Sequence, residues 1–254
     1  MRKIKCIIVT GTSRGLGEAL VVKLLNKSNI LFTISRNDNE KLAFLAKKQS
    51  SKLANIKFDL NNLLEIEGLI EKIINDTEKL DIDGYYLINN AGILAPIKPI
   101  DKCLSGEIIK NFNVNALAPM IMTSCFIKMT NKFNVEKRVI NISSGAGKKP
   151  YYGWGSYCSS KAAIDMFTRC IGVEQVNRKH PVKIISFAPG IIDTDMQAEI
   201  RRTKKEDFDQ LERFVEFKEI GKLKSADFVA GKVIDLLYDE EIISGSLIDI
   251  NERL

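Results

Sequence analysis

The stretch that decides the fold is CIIVTGTSRGLGEALVVKLL, residues 6–25. It begins with an apolar, β-branched run, continues through a turn with Gly11, Gly15 and Gly17, and ends in a helical pattern. The glycines allow the chain to turn tightly and let a ligand come close to the backbone. The helix that follows offers free N–H groups and the positive end of its dipole. The stretch therefore predicts a strand, a phosphate-binding turn and a helix.

The rest of the chain continues this alternation. Helical patterns separate most of the apolar runs, which is typical of a parallel sheet with helices on both faces. We expect an α/β protein: one doubly wound, Rossmann-type domain over residues 1–254, with about seven strands. The segment from about 193 to 224 is helical and charged, and we expect it to be a substrate-side insertion over the strand ends. The candidate strands are KCIIV, ILFTIS, NIKFDL, GYYLINN, RVINIS, VKIISFA and SGSLIDI.

The composition indicates a soluble, cytoplasmic protein without a metal centre. No apolar run approaches the roughly 20 residues that span a membrane, and the apolar part of MRKIKCIIVTG is too short for a secretory signal. The one histidine, His180, leaves little room for a Ser-His-Asp or histidine–metal mechanism. The cysteines contain no C-x-x-C pair, which argues against disulfides and zinc; they are Cys6, Cys103, Cys125, Cys158 and Cys170.

The net charge of +6 raises the question of a nucleic-acid partner. The basic residues are dispersed along the chain, and the densest run, IRRTKK at 200–205, has no interleaved aromatic side chains. A small ligand that carries phosphate explains the positive charge as well as DNA does. We therefore expect neither a nucleic-acid nor a membrane partner.

The second predicted strand indicates which dinucleotide the glycine turn binds. An acidic residue about 20 positions after the glycines receives the ribose 2′-hydroxyl of NAD, whereas an arginine there receives the 2′-phosphate of NADP. LFTISRND holds Ser35 and Arg36 at this point, and Arg14 in the glycine turn can close on the same phosphate. Asp38 argues for NAD, but we interpret it as a cap or first-turn acid of the next helix. The expected cofactor is NADP.

Tyr157 and Lys161, in GWGSYCSSKAAIDMF (153–167), lie four positions apart in a helical pattern and so share a helix face. A phenol with an ordinary pKa near 10 is a poor acid at neutral pH. We expect the neighbouring cation to lower the pKa of Tyr157 by roughly 1 to 3 units. Tyrosine then becomes a general acid for a carbonyl oxygen that receives hydride. The spacing alone is common, so it needs support from other residues.

Other polar residues stand at predicted strand ends, where an open parallel sheet binds ligands. RVINISSGAG ends a strand with Ser143 and Ser144, and a hydroxyl there can stabilise developing alkoxide charge. LINNAG, residues 87–92, ends another strand, and Asn115 sits in a helical context that does not favour an amide. Each of these residues also suits a cap or a turn. Together with Tyr157 they form a candidate catalytic constellation.

These motifs, in this order and over essentially the whole chain, resemble the short-chain dehydrogenase/reductase family. The resemblance implies an NADPH-dependent reductase in which Tyr157 donates the proton and Ser144 polarises the carbonyl. It further implies that Lys161 lowers the pKa of the tyrosine and holds the nicotinamide ribose, and that Asn115 orders a proton-relay water. Relatives usually pair through two of their helices, so we expect a homodimer, with a tetramer as the alternative. A protein that binds NADP without turnover stays as an alternative from another class, although no catalytic member is missing.

The same resemblance implies a set of cofactor contacts. Asp59 would meet the adenine, Asn89 and Ala91 would line a ribose, and Ile192 with Thr194 would hold the carboxamide. The full set is Gly11, Ser13, Arg14, Gly15, Leu16, Gly17, Arg36, Asp59, Leu60, Asn89, Ala91, Gly92, Tyr157, Lys161, Pro189, Gly190, Ile192, Thr194 and Met196.

A narrower resemblance lies in YYGWGSYCSSKAA, FAPGIIDTDMQ and SGSLID, which are similar to the sepiapterin reductase-like branch and its bacterial members that reduce benzil to (S)-benzoin. A pterin needs a buried carboxylate, whereas a diaryl diketone needs apolar walls. We expect reduction of a dicarbonyl such as benzil, with sepiapterin as the alternative substrate, and Asp249 as either a substrate anchor or a strand-end acid. The implied substrate residues are Ser144, Trp154, Tyr157, Met196, Gln197 and Asp249, with Tyr151, Tyr152 and Phe187 as further candidate walls.

Overall fold

The computed structural model describes residues 3–252. Its sheet has seven strands, all parallel, in the spatial order β3-β2-β1-β4-β5-β6-β7. This confirms the doubly wound α/β fold expected from the sequence. The strands are β1 (Ile4–Thr10), β2 (Asn29–Ser35), β3 (Lys52–Lys57), β4 (Ile82–Asn89), β5 (Glu136–Ile142), β6 (Lys183–Ala188) and β7 (Leu247–Asp249).

Helices connect the strands and cover both faces of the sheet. None of the helices within residues 3–252 is long and apolar enough to cross a membrane. A π-helical turn, Asn113–Leu117, separates the fourth and fifth helices. The α-helices are α1 (Gly15–Leu24), α2 (Glu40–Lys48), α3 (Ile66–Thr77), α4 (Ser105–Phe112), α5 (Ala118–Thr130), α6 (Gly155–Gln175), α7 (Asp195–Arg201), α8 (Leu211–Glu219) and α9 (Ala226–Tyr238).

Strand β1 shows why the sheet is buried on both faces. Ile7 and Val9 belong to a core shared with α1 and α9, whereas Cys6 and Ile8 belong to a core shared with α3 and α5. Successive side chains of a strand point to opposite faces, so a run that is apolar at every position needs cover on both sides. The continuous apolar run of β1 thus explains the three-layer arrangement.

The strand order reverses direction between β1 and β4. The chain runs outward from β1 through β2 to β3, then returns to β4 and continues to the other edge at β7. In such sheets the crevice outside the carboxyl ends of the strands at the reversal is the usual ligand site. A third apolar cluster, with residues from α6, α7 and α8, includes Tyr157 and Trp154. The helices α7 and α8 lie within the segment that the sequence marks as an insertion.

Candidate active site

The glycine turn follows β1 at the reversal of strand order. Gly11 and Gly15 have φ of +72° and +60°, in the left-handed region that favours glycine. A Cβ at Gly17 would collide with the Gly11 carbonyl oxygen and approach the Asn90 side chain to 2.6 Å. The backbone therefore requires glycine at these positions, and Gly15 and Gly17 already belong to the first turn of α1.

Two residues that the sequence interpretation did not select fasten this turn to β4. The Thr10 hydroxyl accepts hydrogen bonds from the backbone N–H groups of Asn90 (3.0 Å) and Ala91 (2.9 Å). In return, the Asn90 side chain donates to the carbonyl oxygens of Thr10 (2.9 Å) and Gly11 (3.2 Å). Their positions in the sequence motifs could have marked them: Thr10 precedes the first glycine of the turn, and Asn90 is the second asparagine of NNAG. These bonds fix the glycine turn against the end of β4.

Asn89 is held by hydrogen bonds to two neighbouring elements. Its side-chain Nδ2 donates to Asn141 Oδ1 (2.8 Å) on β5 and to Thr123 Oγ1 (3.2 Å) on α5, and the residue is buried. The amide thus joins the sheet to α5 beneath the crevice, and its Oδ1 has no partner within residues 3–252. Sequence spacing did not distinguish Asn89, the last residue of β4, from Asn90, which follows it directly.

Two arginines lie where the sequence interpretation expects the 2′-phosphate. The Arg36 side chain is exposed after β2, and within residues 3–252 no ion pair engages it. The Arg14 guanidinium lies 2.8 Å from the Asp195 carboxylate at the start of α7. Asp38 is exposed and does not cap α2, because Asn39 accepts the hydrogen bond from Leu42 N (3.2 Å). The interpretation of Asp38 as a cap was therefore wrong by one residue.

The predicted adenine contacts lie after β3. The Asp59 carboxylate accepts a hydrogen bond from Asn61 N (3.0 Å), which stabilises a turn, and Leu60 is buried in the core on that face. Ser13 also has a local role, since its carbonyl oxygen accepts from the Asn39 side chain (3.1 Å). Leu16 is buried in the core under α1. These contacts shape the walls of the crevice and leave the Asp59 carboxylate half-buried at its edge.

Helix α6 carries Tyr157 and Lys161 side by side, and both residues are buried. The Lys161 ammonium lies 5.8 Å from the centroid of the Tyr157 ring. It donates a hydrogen bond to the carbonyl oxygen of Ile142 (2.8 Å) at the end of β5. The helical spacing thus brings the phenol and the ammonium together at the carboxyl end of the central strands.

The pKa values differ from the sequence expectation. Burial raises the pKa of Tyr157 to about 12, and hydrogen bonding with Ser144 opposes this shift. Burial lowers the pKa of Lys161 to about 8, and the Asp165 carboxylate opposes that shift. The prediction that the pKa of Tyr157 lies below its ordinary value is therefore wrong for the protein alone, because the loss of water around the phenol dominates.

The two serines after β5 have distinct roles. Ser144 is half-buried, and its Oγ accepts a hydrogen bond from Ala146 N (3.1 Å) while interacting with Tyr157. The Ser143 hydroxyl is buried and has no hydrogen-bond partner in the described part of the chain. Ser144 is thus the hydroxyl adjacent to the phenol, in agreement with the choice made from the spacing.

Asn115 lies in the π-helical turn between α4 and α5. Its Oδ1 accepts from Ile93 N (2.8 Å), and its Nδ2 donates to Ile93 O (2.8 Å) and Ser160 Oγ (3.2 Å). A Cβ at Gly92 would lie 3.4 Å from Asn115 Oδ1 and 3.6 Å from Lys161 Nζ. A π-turn often marks a functional site, and this one joins the crevice wall after β4 to α6.

The turn after β6 lies beside the glycine turn. Pro189 is buried and Gly190 has φ of +71°, while Ile192 forms an isolated bridge with Lys224. The Thr194 methyl group would lie 3.3 Å from a Cβ at Gly15. The structure thus places the segment after β6 against the glycine turn after β1, although the two segments are distant in sequence.

An aromatic cluster lies next to Tyr157. The Trp154 ring stacks on Phe208 with centroids 4.7 Å apart and meets the Tyr157 ring edge-on at 5.6 Å. Phe214 from α8 completes the cluster, and Met196 and Tyr151 pack against it. The sequence interpretation missed Phe208 and Phe214, because they lie six residues apart in a charged segment and share no helical spacing.

Two residues that were expected to form apolar walls of the substrate site lie away from the aromatic cluster. Phe187 is buried in the core between the sheet and α9, on a different face from the aromatic cluster. Tyr152 is half exposed to solvent. Phe187 was misassigned because a strand residue near the crevice points to one face or the other, and the register was not known.

The remaining substrate candidates are Gln197 and Asp249. Gln197 is buried on α7; its Oε1 accepts from Arg201 (3.1 Å), but its Nε2 has no partner within residues 3–252. The Asp249 carboxylate accepts from the backbone N–H and the side chain of Asn251, both at 2.9 Å. The observed bonds of Asp249 are those of a strand-end acid.

The residues around the crevice fit a nicotinamide dinucleotide. The glycine turn presents backbone without side chains at the start of α1, the arrangement that suits a pyrophosphate. An ammonium has three N–H donors, and in the described structure Lys161 Nζ uses one of them, toward Ile142. A buried ammonium with free donors fits ribose hydroxyls as acceptors.

Comparison with known proteins identifies the family. Residues 5–205 match the family model for short chain dehydrogenase. The chain belongs to the short-chain dehydrogenase family. It is therefore an oxidoreductase acting on CH–OH and C=O groups, and members of this family use nicotinamide cofactors. This confirms the resemblance seen in the sequence motifs.

Three relatives illustrate where the chain stands in the short-chain dehydrogenase family. It is 48% identical to a benzil reductase ((S)-benzoin forming) of Bacillus cereus over 249 residues, covering 98% of this chain and 100% of the relative. It is 28% identical to the sepiapterin reductase of Bos taurus, covering 97% and 94% of the two chains. The crystal structure of the KRED1-Pglu enzyme matches with a TM-score of 0.80 and 28% identity, covering 96% and 99%.

Proposed function

We propose that this protein is an NADPH-dependent reductase of vicinal diketones, which reduces a compound such as benzil to (S)-benzoin. The observation that carries the proposal is that the Tyr157 phenol interacts with the Ser144 hydroxyl while its ring contacts the Trp154 ring, with centroids 5.6 Å apart. An acid, a polar hydroxyl and an apolar aromatic wall in one place suit an aryl ketone. The 48% identity with a benzil reductase supports the same substrate class.

In the proposed mechanism the glycine turn and Lys161 would hold NADPH, which would supply hydride to the carbonyl carbon. Ser144 donates a hydrogen bond to the carbonyl oxygen, and Tyr157 transfers its phenolic proton to that oxygen. Lys161 holds positive charge near the phenolate that forms, and its free N–H donors orient the nicotinamide ribose. Asn115, tied to Ile93 and Ser160, holds the crevice wall next to Lys161 and orders the proton-relay water.

The raised pKa of Tyr157 suits the reductive direction. A phenol with a pKa of about 12 keeps its proton at neutral pH and is ready to donate. An alkoxide is a stronger base than phenolate, so the proton transfer becomes favourable as hydride arrives. The oxidative direction needs the phenolate as base, and burial disfavours that charge. The protonated phenol is thus the form that reduction requires, while the same residues serve the oxidation of an alcohol in the reverse direction.

The cofactor preference for NADPH over NADH rests on Arg14 and Arg36. Both side chains are exposed near the end of the glycine turn, and each guanidinium can bind a phosphate with two hydrogen bonds. A kinetic comparison of NADPH with NADH tests this directly. Equal kcat/KM values for the two cofactors would contradict the preference.

The substrate preference for a diketone over a pterin rests on the polar groups near the aromatic cluster. Trp154 Nε1 and Gln197 Nε2 are buried donors without partners within residues 3–252, so they suit a ligand that brings an acceptor, such as a second carbonyl oxygen. Asp249, the residue that would anchor a pterin, accepts its two described hydrogen bonds from Asn251. Sepiapterin stays as the alternative substrate.

A panel of substrates with NADPH distinguishes these proposals. We expect kcat/KM for benzil to exceed that for sepiapterin and for simple ketones, measured as loss of NADPH absorbance. A preference for sepiapterin would favour the alternative. Binding of NADPH without turnover of any carbonyl would indicate a nucleotide-sensing protein instead.

We also propose that the protein forms a homodimer through α6. Its exposed side carries apolar residues at i, i+4 and i+7, namely Met166, Cys170 and Val173. An apolar stripe on a surface helix suits burial against another helix. Light scattering should give twice the mass of the chain, and Val173→Glu should shift the protein toward monomer. A monomeric wild type would contradict this proposal. The cytoplasmic location expected from the sequence stays a prediction.

A further inference from the structure

One helical turn beyond Lys161, helix α6 carries an acidic residue on the same face as Tyr157 and Lys161. Asp165 follows Tyr157 and Lys161 at the same spacing of four residues, so the three side chains share one face of the helix. Asp165 is 7% exposed, which is unusual for a carboxylate. Long side chains on a helix lean toward its N-terminus, so Asp165 leans toward Lys161 and Lys161 toward Tyr157.

Two neighbours fix the Asp165 carboxylate. Its Oδ1 accepts a hydrogen bond of 2.5 Å from the hydroxyl of Ser186 on β6. Its Oδ2 lies 2.7 Å from where a Cβ would stand at Gly147, in the turn that Ser144 begins. Glycine at this position lets the turn pack against the carboxylate and excludes water from it. The carboxylate is thus held in place by the same turn that holds Ser144.

The surroundings of the Lys161 ammonium contain one other charged group. From α6 it is flanked by the neutral Tyr157 and by Asp165. From β5 it meets the Ile142 carbonyl, and from the wall after β4 it meets Gly92, beside the neutral amide of Asn115. Among the described residues, Asp165 is thus the one ionised group acting on this buried cation, and it opposes the fall in the pKa of Lys161 that burial causes.

We propose that Asp165 is a positioning residue for the reaction: its carboxylate, one helical turn from Lys161, keeps that ammonium charged beside Tyr157 and the nicotinamide ribose. The proposal rests on the roles of Tyr157 and Lys161 given under the proposed function. A buried cation without a counter-charge loses its proton, because the charged form is costly away from water. The Ser186 hydroxyl and the Gly147 turn hold the counter-charge in its place.

The direction of the pH effect follows from this geometry. Lys161 has a pKa of about 8, so its charge is present at lower pH and is lost as the pH rises through that value. If the charged form supports proton transfer from Tyr157, the rate of reduction falls on the alkaline side. Without the negative charge of Asp165, Lys161 loses its proton at a lower pH. The fall in the rate of reduction on the alkaline side then moves to lower pH.

The test compares Asp165→Asn with Ser186→Ala. Asparagine keeps the shape and accepts the Ser186 hydrogen bond but removes the charge, whereas Ser186→Ala removes the hydrogen bond and keeps the charge. We expect the alkaline limb of the kcat/KM profile to move down by about one pH unit in Asp165→Asn, and by much less in Ser186→Ala, where the carboxylate keeps its charge and the Gly147 turn still packs against it. An unmoved limb in Asp165→Asn, or equal shifts in both variants, would overturn the proposal.

A second readout does not need turnover. NMR of protein with 13C-labelled lysine side chains follows the titration of Lys161, whose resonance is assigned by its loss in Lys161→Met. We expect a lower Lys161 pKa in Asp165→Asn than in the wild type, and the same pKa in both would overturn the proposal. If the wild type reduced no carbonyl, the proposed function would fail while this titration still decided the role of Asp165. If Asp165→Asn did not fold, Asp165→Ala, which also removes the charge, would be used.

Discussion

The Arg14 guanidinium lies 2.8 Å from the Asp195 carboxylate and so joins the glycine turn to the first turn of α7. Both side chains are largely exposed, at 71% and 65%, and such a pair contributes about 0 to 1 kcal/mol. A 2′-phosphate carries up to two negative charges and would compete for the same guanidinium. We therefore expect Asp195 to oppose the proposed binding of NADPH, both by occupying Arg14 and by adding negative charge.

Replacing this carboxylate should sharpen the cofactor preference. In Asp195→Asn we expect the Kd of NADPH to fall by about two- to fivefold, because Arg14 is released, while the Kd of NADH changes little. Asp207→Asn is the matched control, since Asp207 pairs with Lys102 at 3.0 Å and not with an arginine of the turn. Fluorescence titration measures both constants. A parallel change for NADPH and NADH would contradict the competition.

Removing the phenolic hydroxyl should abolish reduction without loss of cofactor. For Tyr157→Phe we expect kcat to fall by about 10² to 10⁴ fold, the usual contribution of a general acid. The Kd of NADPH should stay within a few fold, because Lys161 still donates to Ile142 and keeps its place. Tyr152→Phe, at an exposed tyrosine, is the control. Substantial turnover in Tyr157→Phe would mean that another group supplies the proton.

The buried ammonium of Lys161 should lower the free energy of unfolding of the protein. Its pKa of about 8, below the ordinary 10.5, means that the unfolded chain binds this proton more tightly. The resulting penalty is complete below pH 8, decreases as the pH rises, and is gone above 10.5. In Lys161→Met we expect the free energy of unfolding near pH 7 to rise by roughly 1 to 3 kcal/mol while activity is lost.

Denaturant unfolding as a function of pH measures this gain. Lys47→Met, at an exposed position on α2, should leave the free energy of unfolding nearly unchanged. A gain in Lys161→Met that persisted undiminished at pH 11 would contradict the explanation, because the wild-type penalty is then absent. A loss of stability near pH 7 would mean that the ammonium is better solvated than its burial indicates.

The fold could be predicted because its signals are local. The glycine spacing and the unbroken apolar run of β1, with Ile7 and Ile8 facing opposite cores, each demand a strand with cover on both sides. Strand β3 was placed less accurately, because at the sheet edge Lys52 and Lys57 carry no apolar signal. It spans Lys52–Lys57 rather than the apolar NIKFDL that marked it.

The site was less predictable where chemistry depends on distant chain segments. The four-residue spacing correctly made Tyr157 and Lys161 neighbours, but it carries no information about burial, which decides the direction of both pKa shifts. Phe208 reaches Trp154 from a segment whose composition indicates a solvated helix. Only the tertiary structure brings that ring to the active site.

The glycine turn offers a prediction about packing. Gly17→Ala should cost stability and abolish cofactor binding, because the new Cβ would collide with the Gly11 carbonyl oxygen and push the turn away from α1. Gly68→Ala is the matched control, at an exposed site in α3 with nothing within 4 Å of the new Cβ. That change should stabilise the helix by about 0.5 to 1 kcal/mol. Thermal unfolding and NADPH titration of both variants measure the contrast; normal binding by Gly17→Ala would contradict the close approach.

The aromatic cluster should decide which ketones are reduced. Phe208 stacks on Trp154 with the ring planes 8° apart, and Trp154 in turn meets Tyr157, so the stack sets the wall opposite the acid. Phe208→Leu keeps an apolar side chain but loses the stack, which is worth about 0.5 to 1.5 kcal/mol. We expect kcat/KM for benzil to fall by about two- to tenfold, while that for butane-2,3-dione, which has no aryl group, stays nearly unchanged. Phe44→Leu, at an exposed ring, should change neither value. Equal losses for both diketones in Phe208→Leu would mean that the stack supports the fold of α8 and does not contact the substrate.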